Sequence, residues 1–216
     1  MKLQLDCFKK ELDKLQRIYG NSKLHAIYGA GCIENPKYLL LFMNPTSKNI
    51  ASFSKWTGIR AQWIGIKNIW KLFYSIGILD NDDFIKIKNG SKDIWTNQFA
   101  IDLYTKLSKK SIYITNLAKC TQDNAHNISD KVFKIYLENT LKEIEIINPQ
   151  NIISFGNQVS SILLGKKTKV SDYVKKEKEV LKIHNKNFIV YPSYYPVGQG
   201  MRNIKKAIKQ LKKILN

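Results

Sequence analysis

Four short apolar bursts, each closed by turn-forming residues and separated by longer stretches of helical period, constrain this chain more than any other feature. They are KYLLLFM (37–43), SIYIT (111–115), NIISF (151–155) and NFIVY (187–191). None alternates apolar with polar residues, so each reads as a strand covered on both faces, and Pro45 stops the first. Helical spacing is found at Lys67–Ile76, Ile94–Leu107, Ser129–Ile147, Asn157–Leu164 and Met201–Leu215. An opening amphipathic helix over 3–18 carries Leu3, Leu5, Phe8, Leu12, Leu15 and Ile18. Ser129 is placed to N-cap the long helix 129–147, with Asp130 in its first turn. Strands alternating with helices predict an α/β fold, a three-layer α/β/α arrangement around a central four-stranded, mostly parallel sheet. The polar stretches 80–93 and 165–186 read as surface excursions. No repeat or composition break divides the chain, and its 216 residues suit a single domain over 1–216.

In an open parallel sheet, ligands bind beyond the carboxyl ends of the strands. The residues that follow the bursts are therefore the first place to look for chemistry. The first burst runs into Asn44-Pro45-Thr46-Ser47, the second into Asn116, the third into Gly156-Asn157 and the fourth into Pro192-Ser193-Tyr194-Tyr195-Pro196. Taken alone, these are also the residues of ordinary turns. Charge narrows the choice of partner: 36 Lys and Arg against 17 Asp and Glu give a formal +19, which favours a polyanion such as nucleic acid. The same surplus accompanies abundant Lys, Asn and Ile, as an A/T-rich coding sequence would produce unselected.

FMNPT (42–46), IYITNLAKC (112–120), IISFGNQVSSILLG (152–165) and YPSYYPVGQG (191–200), in that order, resemble the uracil-DNA glycosylase superfamily. Its members carry a first motif of the type G-x-N-P-G, a central strand ending in Asn and a second motif of the type H-P-S. The resemblance implies a monofunctional DNA glycosylase that flips out uracil or another deaminated base and hydrolyses its N-glycosidic bond. Met43-Asn44-Pro45 matches the Met-Asn-Pro of the single-strand-selective enzymes, and Asn44 takes the place of the residue that positions the catalytic water. An amide carbonyl can orient a water but cannot take its proton. Asn116 matches the base-reading Asn, with Met43 beside it. Gln62-Trp63-Ile64-Gly65 is similar to the Pro-Phe-Val-Gly of the iron–sulfur thermophilic group, so Trp63 is expected to stack on the extruded base, with Trp56 as the other choice. Tyr191-Pro192-Ser193 falls on His-Pro-Ser, which gives Tyr191 the place of the catalytic His. The resemblance makes Pro45, Thr46, Ser47, Pro192, Ser193, Gly198, Gln199 and Arg202 the DNA-contacting set. Either Tyr194 or Tyr195 would fill the gap left by the base.

The chain departs from the pattern at Phe42 and Thr46, where the first motif has Gly, and at Tyr191. A phenol gives one hydrogen bond where an imidazole assists the leaving base. These departures sustain an alternative, a catalytically weak relative that binds damaged or single-stranded DNA. A nucleotide-processing enzyme is disfavoured because no Gly-rich phosphate loop is present. Cys120 stands where the iron–sulfur group has a cluster ligand, but Cys7 and Cys32 do not complete a set. His25, His126 and His184 lack ligand spacing, although His126 follows Asn116 closely enough to approach the site. No metal or cofactor is therefore expected. The longest apolar run is too short for a bilayer, and the N-terminus lacks a signal-peptide pattern, so a cytoplasmic, nucleoid-associated monomer acting on DNA is the expectation.

Overall fold

The computed structural model describes residues 2–124, 128–174 and 178–215, with the side chains of residues 2–7 and of Gln199 left aside. The chain forms α1 (Lys2–Tyr19), β1 (Ala30–Gly31), β2 (Tyr38–Phe42), α2 (Lys67–Ser75), α3 (Asn81–Asn89), α4 (Asn97–Lys109) and β3 (Ile112–Asn116). It continues through α5 (Asp130–Ile147), β4 (Asn151–Phe155), α6 (Asn157–Leu164), β5 (Glu179–Ile183), β6 (Lys186–Ser193) and α7 (Ile204–Leu215). The architecture is α/β, as the alternation predicts, but the sheet has six strands in the order β1-β3-β2-β4-β6-β5 rather than four. β3, β2, β4 and β6 pair in parallel, and β1 and β5 add antiparallel edges.

Two further expectations need correction. The stretch 165–186 is not simply an excursion, because EVLKI pairs with β6 from Glu179 to Ile183. Its inward Leu181 and Ile183 are buried while Val180 faces out, the period-2 pattern of an edge strand. The stretch 80–93 holds α3, which begins where the Asp80 side chain accepts from the amide of Asp83. Ser129 does occupy the N-cap position of α5, but its side chain makes no capping bond.

Strand pleating sorts the core into two halves. Leu40, Phe42, Ile114, Ile153 and Phe155 pack on one face with α2, α4 and α7. Leu39, Leu41, Tyr113, Ile152 and Val190 pack on the other with α1, α5 and α6. Every residue of β2 and β3 is buried, which explains why neither burst alternates. The register sets Phe42 beside Asn116 and Phe155 beside Ser193, so the carboxyl ends finish level. Asn116 lies two residues beyond Ile114 and so faces the same side as Phe42 and Phe155.

Candidate active site

The loop after β2 is held to the loop after β3 by a run of backbone bonds. Leu117 and Ala118 donate to Phe42 and Met43, Gln122 donates to Pro45, and Ser47 donates to Gln122. The turn is thus an extension of the sheet, and Asn44 stands on a fixed frame. Its Nδ2 donates to the Pro45 carbonyl at 3.0 Å, which leaves Oδ1 without a protein donor among the described residues.

Asn44, Thr46, Tyr195, Val197 and Gly198 line both of two adjoining cavities, of about 400 and 180 Å³. The larger also takes in Tyr194, Asn157, Gln158 and Arg202. The smaller takes in Pro45, Lys48, Gln62 and Trp63. Among the described residues no Asp or Glu lines either cavity, and Lys48 and Arg202 supply the only formal charges there, both positive. A carboxylate general base is therefore absent among the described lining residues, and a polyanion meets no opposing charge.

Behind the smaller cavity is a feature that sequence reasoning missed. Asn116 is buried and its Nδ2 donates to Gln62 Oε1 at 2.8 Å. Three buried polar atoms beside this bond have no partner: Asn116 Oδ1, Gln62 Nε2 and Trp63 Nε1. An unsatisfied buried polar group costs about 1–3 kcal/mol, so three on neighbouring residues call for a partner, water or ligand, from outside the described residues. Asn139 Oδ1 is likewise unpartnered among the described residues, but it belongs to α5 on the other face of the sheet.

Trp63 adopts φ of 64°, left-handed backbone that costs a bulky residue about 1–3 kcal/mol and tends to mark functional positions. Its carbonyl accepts from Trp70 Nε1 at 3.0 Å and from the Ile66 amide at 3.2 Å, which hold the turn. The ring meets Phe42 edge-on at 4.8 Å, and Phe42 stacks on Phe155 at 4.4 Å. Phe42, in place of the family's glycine, thus builds an aromatic floor. Trp56 donates to the Ile59 carbonyl and lines neither cavity, so of the two tryptophans Trp63 is the one at the site.

The second motif is placed differently from expectation. β6 runs on to Ser193, which leaves Tyr191 level with Ile153, two residues or about 7 Å short of the rim. Tyr191 lines neither cavity beside Asn44 and instead lines a separate cavity against α7. Pro192 and Ser193 are buried; the Ser193 hydroxyl donates to Gln210 Oε1 at 2.9 Å, and Gln210 Nε2 donates to the Pro192 carbonyl at 2.9 Å. Ser193 is committed to the protein and unavailable to phosphate. Ser47 is similarly engaged with the Asp123 carbonyl, and Pro45 is buried. Tyr195 turns inward, edge-on to Phe42 at 6.3 Å, and burial raises its hydroxyl well above the usual tyrosine range. Of the two tyrosines, Tyr195 lines both cavities and Tyr194 only the larger.

Gly198 has φ of 56°, and a Cβ on Gly200 would lie 1.9 Å from the Tyr195 carbonyl oxygen. Both are backbone positions, so the loop itself must move. Gly200→Ala is expected to concentrate about 1–3 kcal/mol of strain in residues 195–200. The far-UV spectrum should stay unchanged, while Tm falls by about 2–4 °C for each kcal/mol of that strain.

Met43 and Thr46 line the larger cavity. The Gln199 side chain and His126 lie outside the described residues. His25 and His184 line neither cavity. No group of three or more His, Cys, Asp or Glu among the described residues could hold a metal ion. Cys120 is buried and its thiol is pushed up by that burial, whereas Cys32 is partly exposed. Native alkylation at pH 8 should therefore label Cys32 roughly tenfold or more faster than Cys120. Peptide mapping after brief iodoacetamide treatment reads the ratio, and equal labelling would contradict the burial of Cys120.

The chain is thus an α/β protein whose parallel strand ends carry buried amides, aromatic rings and, among the described residues, a basic rim free of carboxylates. The family model described as the uracil DNA glycosylase superfamily matches residues 29–216, and the chain belongs to that superfamily. Its members are typically DNA glycosylases and act on DNA. No curated protein matches the chain. No helix among the described residues is long and apolar enough to cross a membrane.

Proposed function

We propose that this protein is a monofunctional DNA glycosylase that hydrolyses the N-glycosidic bond of uracil, or of another deaminated base, flipped out of DNA. The observation that carries the reading is the bonded Asn116–Gln62 pair, with one free acceptor, one free donor and the Trp63 indole N–H beside them. A free acceptor next to a free donor complements the N3–H and O4 edge of uracil, and the N1–H and O6 edge of hypoxanthine. Cytosine presents acceptor and donor in the opposite order.

The bond that breaks joins the sugar C1′ to the base nitrogen; the bond that forms joins C1′ to a water oxygen. Asn44 Oδ1 holds that water without deprotonating it, and no lining carboxylate is there to do so. The sugar therefore develops oxocarbenium character before the water adds, and the base leaves with the electron pair as an anion. The Gln62 and Trp63 N–H groups supply the electrostatic stabilisation of that anion that an imidazole gives elsewhere in the family. The attacking water then loses its proton to solvent, and an abasic site remains. Lys48 and Arg202 meet the phosphates at the rim.

The test is excision from labelled oligonucleotides that carry a single uracil, hypoxanthine, xanthine or thymine mismatch, read after alkaline strand cleavage. A product band with one substrate supports the reading and names the base. No product from any of them, with tight binding retained, would leave the chain a DNA-binding relative. Gln62→Ala removes a donor and strands the Asn116 amide, which costs about 1–3 kcal/mol, so kcat/KM should fall by about 5- to 150-fold. An unchanged kcat/KM would remove Gln62 from base recognition.

A further inference from the structure

A second cavity of about 540 Å³ opens on the β6 side of α7, where Tyr191, Tyr194, Lys206, Lys209 and Gln210 contribute to its wall. Tyr194 also lines the larger cavity beside Asn44, so the two spaces share a wall and follow one another along the surface. The Lys206 ammonium sits over the Tyr194 ring at 5.6 Å from its centre. No ion pair joins Lys206 or Lys209 to a carboxylate among the described residues, and both lysines are exposed. α7 carries Lys205, Lys206, Lys209, Lys212 and Lys213 and no acidic residue. Its inner face is fixed, since Ala207 and Leu211 are buried and Gln210 bonds to both Pro192 and Ser193.

Phenol rings beside unpaired ammonium groups match one kind of ligand in particular. Bases stack on aromatic faces whatever their sequence, and lysines follow the phosphates between them. An acidic peptide would satisfy the lysines but leave the tyrosine faces unused. A membrane surface would require an apolar face turned outward, and that face of α7 is spent in the core.

We propose that the groove between β6 and α7 is a second nucleic-acid subsite, which holds nucleotides of the target strand next to the extruded base in single-stranded form. Bases stack on Tyr194 and Tyr191, and the phosphates between them meet Lys206 and Lys209. The proposal rests on the reading of the Asn44 cleft as a DNA site, which it extends to the neighbouring strand. Tyr191 thereby gains a role that its distance from Asn44 denies it in catalysis.

The experiment compares binding of fluorescent twelve-residue oligo(dT) and of a duplex of equal length by the full chain and two double variants. Lys206→Ala with Lys209→Ala removes two groove charges. Lys131→Ala with Lys134→Ala removes two exposed charges from α5, on the far face of the sheet. The groove variant should bind oligo(dT) at least about tenfold more weakly, with the slope of log affinity against log salt reduced by about 1.4 for two lost phosphate contacts. The far-face variant should bind as the parent does, and duplex binding should change less than single-strand binding. Equal losses in the two variants would mean a diffuse field rather than a groove and would overturn the proposal, as would no loss in either. Tyr194→Leu should weaken oligo(dT) binding but not polyglutamate binding; equal effects would refute base stacking. Excision run alongside separates the two readings. Product formation with unaltered binding by the groove variant would retain the glycosylase and discard the groove. Selective loss of oligo(dT) binding by a chain that excises nothing would do the reverse.

Discussion

Asn44→Ala should abolish base excision while leaving DNA binding close to that of the parent chain. The residue stands on a turn fixed by four backbone bonds between the loops that follow β2 and β3, so removing its amide does not release the loop. The side chain makes a single bond, to the adjacent Pro45 carbonyl, and that carbonyl also accepts from Gln122. Little folding energy is lost with it. What disappears is the fixed oxygen that orients the attacking water, and no carboxylate among the described residues lines the cleft to replace it. Losing a group that only positions a reactant costs about 10²-fold. Single-turnover excision should fall by that factor, with the dissociation constant for an uncleaved analogue within about twofold, the scatter of an exposed-site substitution. A parallel loss of binding would mean that Asn44 holds the DNA rather than the water. Asn44→Asp makes the converse point, because it supplies the carboxylate that the site lacks. It should retain more excision than Asn44→Ala, with a rate that rises as the new carboxylate ionises.

Much of this site was legible from the strand ends, because a parallel sheet delivers whatever follows each strand to one rim. Asn44 and Asn116 are found this way, and the level register of Phe42 with Asn116 explains why. Trp63 came only from a family resemblance, since nothing in its spacing separates a ring at a site from one in the core. The Trp63 backbone strain and its unpartnered indole make that separation in three dimensions. Gln62 was not legible at all. Its meaning lies in a bond to a residue 54 positions away, and Gln before Trp carries no local signal. Tyr191 was misplaced for a different reason: aligning Tyr-Pro-Ser on His-Pro-Ser fixes the sequence position but not where the strand ends. β6 continues two residues past Tyr191, and a strand advances about 3.3 Å per residue. β5 was readable in principle, because Leu181 and Ile183 alternate with Val180 and Lys182 before the His184-Asn185 turn. Its lysines and glutamate concealed it among the polar stretch around it. α3 had its signal in Asp80, three residues ahead of the amide it caps.

Beneath Asn116 lies the interaction whose loss should cost the fold most. Lys119 and Glu143 are both buried, and Nζ approaches Oε2 at 2.6 Å. Thr115 and Tyr113 donate to the same carboxylate, while Lys119 also donates to the Asn116 carbonyl and to Thr140. Every strong polar group in this cluster has a partner, so the pair is tolerated at low solvent exposure. Lys119→Met keeps the volume and removes the charge, which leaves the Glu143 carboxylate without its counter-ion. Breaking one side of such a pair costs about 3–5 kcal/mol. In a chain of this size that corresponds to a fall of roughly 10 °C in Tm, read by calorimetry or by near-UV circular dichroism. Adding Glu143→Gln to Lys119→Met should recover most of the loss, because the stranded charge is removed while the amide oxygen still accepts from Tyr113 and Thr115. The two readouts then diverge. If the network serves stability alone, the double variant should regain excision along with Tm. If the Lys119 bond to the Asn116 carbonyl also sets the base-reading amide, the double variant should melt near the parent temperature and still show a raised KM with kcat little changed. The second outcome follows from the geometry, since the ammonium grips the backbone of the very residue whose side chain faces Gln62.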